Sequence, residues 1–111
     1  MLDIFESAKK EIIIKDNYAS KELLKILSKT DKKITIVSKN IDDILIKKYN
    51  SEYKNIAFIN KDTLHDRFII IDRKKLYSCG ASFKDLGKKC FEINEMNSKK
   101  LLENLLDIIF N

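Results

Sequence analysis

"LHDRFIIIDRKKLYSCGAS", residues Leu64 to Ser82, reads as two strands joined by a tight polar turn. The run from Phe68 to Ile71 is apolar and rich in β-branched residues, the composition of a buried strand. "DRKK", Asp72 to Lys75, supplies the turn, and "KLYSCGAS", Lys75 to Ser82, the returning strand. At the head of the first strand stand the chain's one histidine, His65, and one of its two arginines, Arg67. Residues two apart on a strand share a face, so both side chains point to one spot.

If the turn is symmetric about Arg73 and Lys74, Ser82 lies opposite His65 and Gly80 opposite Arg67, on the same face. A three-residue loop or a bulge would move the pairing by one residue. The chain has two glycines, Gly80 and Gly87. A glycine in a strand marks a bulge or a close approach by another group. A histidine, an arginine, a serine and bare backbone at one spot fit an oxyanion site. The alternative is a glycine at a strand end beside a surface histidine.

Working outward, "EIIIKDNY", Glu11 to Tyr18, is a buried strand. Ser20 caps a helix carrying Leu23, Leu24 and Leu27 and ending near Thr30. "KITIVSK", Lys33 to Lys39, is a second strand, and Asn40 with Asp43 opens a helix to about Tyr49. "NIAFIN", Asn55 to Asn60, precedes the hairpin, and "CFEINEM", Cys90 to Met96, follows it. From Asn97 onward a closing helix sets Leu101, Leu102, Leu105, Ile108 and Ile109 on one stripe. Strand–helix alternation followed by hairpins predicts an α/β fold, a mixed β-sheet with helices on both faces.

At 111 residues, 44% apolar and 35% charged, the sequence is one globular domain spanning 1–111, either whole or part of a larger protein. No apolar run reaches the length of a membrane span, and the N-terminus is not a signal peptide. Two cysteines, Cys79 and Cys90, make neither a disulfide framework nor a zinc set, so a reduced, cytoplasmic protein is expected. No ligand cluster for a metal is seen, and no cofactor motif.

The net charge of +5 suits a nucleic-acid partner. Twenty lysines against two arginines, with no proline, equally suit an AT-rich coding sequence. Under that bias Arg67 is informative, because its planar fork holds a phosphate as lysine cannot, although chance retention is an alternative for a single residue. The pairs Lys9-Lys10, Lys32-Lys33, Lys47-Lys48 and Lys88-Lys89 read as scattered, solubilising charge.

His65-x-Arg67-x4-Asp72, followed by Gly80-Ala81-Ser82, resembles the phospholipase D superfamily motif HxKx4D with its glycine-serine segment. The strand–helix order around it resembles one half of that fold over nearly the whole chain. Short single-copy bacterial and phage defence or regulatory versions, in which H-D-R-F recurs, are the most similar. Two departures stand out. Arg67 replaces lysine, and the polar residue after the glycine-serine segment falls on Lys84 or Asp85.

The resemblance implies a metal-independent phosphodiesterase, with a nuclease expected, in which a motif histidine attacks phosphorus and a second histidine protonates the leaving group. One histidine per chain then requires a homodimer. His65, Arg67 and Ser82 are the expected catalytic residues, with Arg67, Gly80, Ser82, Lys84 and Lys39 around the phosphate. The other reading is an inert module of the same fold that binds nucleic acid or another phosphate ligand and mediates dimerisation or regulation. A lipid substrate is not expected.

Asp72 lies about 23 Å from His65 along a strand at roughly 3.3 Å per residue, with opposite parity, so it cannot orient the imidazole. It is expected to open the "DRKK" turn through its carboxylate. The orienting carboxylate is sought among Asp16, Glu92 and Glu95. Asp66 points to the other face. Lys39 and Asp16 end adjacent parallel strands, the edge where open α/β sheets bind ligands; each either lines the site or is a solvated loop residue. Tyr18 is either a stacking platform for a base or a partly buried tyrosine.

Overall fold

A computed structural model describes residues 2–15, 25, 27, 29–38, 43–60, 67–79 and 93–110. The elements are α1 (Leu2–Glu6), β1 (Glu11–Lys15), β2 (Lys33–Ser38), α2 (Asp43–Glu52), β3 (Ile56–Asn60), β4 (Arg67–Ile71), β5 (Lys75–Cys79), β6 (Ile93–Met96) and α3 (Lys99–Phe110). The six strands form one mixed sheet in the order β3-β2-β1-β4-β5-β6. β3, β2 and β1 run parallel, and β1–β4, β4–β5 and β5–β6 are antiparallel. The expected α/β fold with a mixed sheet is what forms.

β1 is central, and its three consecutive isoleucines are buried without alternation because both faces of the sheet are covered. On one face Ile12, Ile14, Ile34, Ile36, Ile69 and Ile71 pack with Phe5, Ala8 and Leu27. On the other, Ile13, Val37, Phe68, Ile70 and Leu76 pack with Leu102 and Ile109 of α3. The helix expected between β1 and β2 falls largely outside the described residues; Lys25 and Leu27 are helical there. α1 was not anticipated: five residues are too few to show a helical period, but Phe5 and Ala8 anchor it to the core.

α3 begins at a serine cap, where the Leu101 N–H donates to Ser98 Oγ at 3.2 Å. Its buried stripe corrects the expected one. Leu102 and Ile109 are buried and Leu105 and Leu106 pack partly against the sheet, an i, i+3, i+4, i+7 set. Leu101 and Ile108 are 38% and 40% exposed. Leu102, Leu105 and Ile109 stay in the stripe, Leu106 joins it and Leu101 and Ile108 leave it, a rotation of about half a residue.

The β4–β5 hairpin also departs from the symmetric reading. Asp72 and Arg73 both have positive φ, 55° and 56°. The Lys74 N–H donates to the Ile71 carbonyl at 3.0 Å. Paired positive φ values are those of a type I′ turn, which matches the strand twist. The ladder then resumes with Ile71 opposite Lys75, so Arg67 faces Cys79 and not Gly80. Three residues, not two, separate the paired positions, which shifts the predicted register by one.

Candidate functional site

Register fixes which strand ends meet. Lys15 pairs with Val37 on one side and Phe68 on the other, Ser38 with Asn60, Arg67 with Cys79, and Cys79 with Ile93. The ends of β1, β2, β3 and β5 and the starts of β4 and β6 therefore lie along one edge of the sheet. This is the carboxyl edge of the parallel strands, where the fold class places ligands.

Of the residues expected in the site, Arg67, Asp72 and Glu95 are described. His65, Ser82, Gly80, Lys84, Lys39, Asp16 and Glu92 lie outside the described residues, as do Asp66 and Tyr18. In the sequence Asp16 follows Lys15, Lys39 follows Ser38, Gly80 follows Cys79, Glu92 precedes Ile93, and His65 is two residues before Arg67.

Arg67 is half-buried at the edge and shares its face, by strand alternation, with Ile69 and Ile71. Ser38 belongs to the same face through Ile34 and Ile36, and Lys15 to the opposite face through Ile13. Both Lys15 and Ser38 are fully buried, and neither was singled out from sequence. The signal was present: a polar residue closes an otherwise apolar strand in each case. Ser38 Oγ has no hydrogen-bond partner among the described residues. A buried hydroxyl left so costs about 1–3 kcal/mol, which makes it an acceptor or donor held ready at the edge. Of the six described residues that end strands here, the two charged ones, Lys15 and Arg67, are cations.

Asp72 is at the other end of β4. Its carboxylate accepts the backbone N–H groups of Lys9 (3.0 Å to Oδ2), Lys10 (2.7 Å) and Glu11 (2.9 Å). Hydrogen bonds from Lys9, Glu11 and Lys10 hold its pKa down at about 2, against an ordinary 3.8. Asp72 and Arg67 stand at opposite ends of β4. The expected use of the Asp72 carboxylate within the turn is not what forms: it reaches across to the segment that starts β1. Beside it, Arg73 Nε donates to Glu11 Oε1 at 2.8 Å, and the guanidinium lies 4.4 Å from the Phe110 ring centre. The hydrogen bond from Arg73 to the Glu11 carboxylate raises the pKa of Arg73. The second arginine is thus committed to structure.

Glu95 is exposed and pairs with Tyr77, which pairs with Ile69. Two strands across and two residues along, it is about 12 Å from Arg67 by strand spacing. The fold does not bring it to Arg67.

No family model matches the sequence, and no curated protein matches it. Solved structures do match. NucT from Helicobacter pylori superposes with a TM-score of 0.66 at 12% identity, covering 97% of this chain and 81% of that one. Nuc from Salmonella typhimurium, a phospholipase D family member, gives 0.64 at 23% identity, covering 96% and 80%. The fold is phospholipase D-like. A third match is TrmBL2, an archaeal chromatin protein described as having a novel mode of DNA binding, at 0.56 and 12% identity. This chain covers 97% of its own length there but 45% of TrmBL2. At these identities the likeness speaks for the fold. No helix among the described residues is long and apolar enough to cross a membrane.

Proposed function

We propose that the chain is a phosphodiesterase of the nuclease kind, acting as a homodimer at the carboxyl edge of its sheet. The observation that carries this reading is Arg67, half-buried on a cationic edge of a phospholipase D-like fold, two residues after the only histidine. In the proposed reaction a neutral His65 imidazole attacks phosphorus. The phosphorus–oxygen bond to the leaving group breaks as that oxygen takes a proton from the partner subunit's His65. Water, deprotonated by the same imidazole, then attacks the phosphohistidine and frees His65. Arg67 holds the non-bridging oxygens through its fork, with Ser82, Gly80, Lys84 and Lys39 as further phosphate contacts. Asp16 and Glu92 are the proposed orienting carboxylates. Nucleic acid is the proposed substrate, in keeping with the positive charge.

A second reading has one observation in its favour. Arg67 stands where the superfamily motif has lysine, which fits a module that keeps the anion pocket without turnover. Hydrolysis of a small activated diester, bis(p-nitrophenyl) phosphate, separates the two. Under the enzyme reading the wild type releases nitrophenolate, Arg67→Ala loses at least tenfold, and Arg67→Lys retains or exceeds wild-type activity. No release by wild type or by Arg67→Lys, with phosphate binding that depends on Arg67, selects the module.

A further inference from the structure

Several lysines that look dispersed in the sequence meet in the fold. The Asp72 carboxylate pulls the Lys9–Lys10 backbone onto the β4–β5 turn, which carries Lys74 and Lys75. The Lys33 N–H donates to the Lys10 carbonyl at 3.1 Å, which adds β2 to the same edge. Lys9, Lys10, Lys33, Lys74 and Lys75 are all exposed. Two carboxylates stand among them: Asp72, which accepts three backbone N–H groups and interacts by charge with Lys74, and Glu11, which is buried and paired with Arg73, so the five exposed lysines leave the edge net positive.

This is the end of the sheet opposite Arg67. The turn also opens onto a groove of about 410 Å³, bordered by Arg73, Lys74, Lys75 and Lys99. Glu95 of β6 and Glu103 of α3 also line the groove, so the lysines of the turn, and not the groove, offer the anion contact.

We propose that this lysine edge is a contact surface for a polyanion, the phosphate backbone of a nucleic acid duplex. The inference rests on the reading of nucleic acid as the ligand and adds a contact at the other end of β4 from Arg67, four residue steps or about 13 Å away at roughly 3.3 Å each. A solvating lysine face needs no such convergence, and here the hydrogen bonds of the Asp72 carboxylate to the Lys9–Glu11 backbone assemble it.

The test is binding of a fluorescent 20-base-pair duplex, measured by anisotropy across a salt series in the absence of turnover. Lys74→Gln with Lys75→Gln is compared with Lys47→Gln with Lys48→Gln, which removes the same charge from exposed positions on α2. The first double variant is expected to lower the slope of log affinity against log salt by roughly one to two, about one per lost phosphate contact. The second is expected to leave the slope unchanged. Equal slopes for wild type and both variants, or equal losses in both variants, overturn the site. Anionic phosphatidylserine vesicles binding as tightly as the duplex at the same salt overturn the assignment to nucleic acid. Because the readout is binding, failure to hydrolyse any diester sinks the catalytic reading above and leaves this one standing.

Discussion

Replacing Leu102 by alanine tests how the closing helix is seated and, through it, the strand that carries Arg67. Leu102 is 7% exposed and packs in the cluster that contains Phe68, Arg67's neighbour on β4. The substitution deletes three carbons, about 2.4 kcal/mol at roughly 0.8 kcal/mol per methylene. A residual cavity adds to this, and buried leucine-to-alanine changes span about 2–5 kcal/mol. Leu101→Ala deletes the same atoms from a side chain already 38% exposed, so about 1 kcal/mol or less is expected. With total stability of about 5–15 kcal/mol and a urea slope of roughly 1–2 kcal/mol/M, Leu102→Ala lowers the midpoint by about 1–5 M. Far-ultraviolet circular dichroism in urea reads both variants, with the slope itself unchanged. Equal midpoint losses for the two variants, or a larger loss for Leu101→Ala, would refute the seating of α3.

Asp72→Asn should destabilise the fold at neutral pH, because an amide replaces a carboxylate that three N–H groups address. A depressed pKa stabilises above the unfolded value and loses that contribution as pH falls. The gap between wild type and variant should therefore shrink between pH 3.8 and about 2; a gap constant in pH contradicts the latch. Ser38→Ala should leave the urea midpoint unchanged or raise it, since it removes a buried hydroxyl without a partner among the described residues; a loss above about 1 kcal/mol would mean that the hydroxyl is bonded in the folded protein.

Much of the fold is legible because apolar pattern and length act locally. "EIIIK", "KITIVS" and "RFIII" each identify themselves as buried strands, and their alternation with helices implies the parallel half of the sheet. The hairpin register was not legible. Asp72 and Arg73 adopt positive φ without glycine or asparagine, so the usual turn signature is missing. What holds that backbone is a carboxylate bonded to residues 61–63 positions earlier, and nothing near Asp72 in sequence announces it. The lysine edge has the same origin, since β1–β4 pairing and the Asp72 carboxylate together bring Lys9 and Lys10 to the turn that carries Lys74. The candidate site was half legible. Arg67 stood out by residue type, whereas Lys15 and Ser38 emerge as edge residues once the strand order is known.

The central claim is that His65 forms a bond to phosphorus. Its most direct measurement is cleavage of a labelled oligonucleotide in excess chelator, quenched in alkaline denaturant and followed by intact mass, for wild type and His65→Ala. Wild type is expected to cleave and to carry a phosphoryl adduct that is stable in base and lost on acid treatment, and His65→Ala to show neither cleavage nor adduct. Cleavage that survives His65→Ala, or that disappears with chelator, would contradict it.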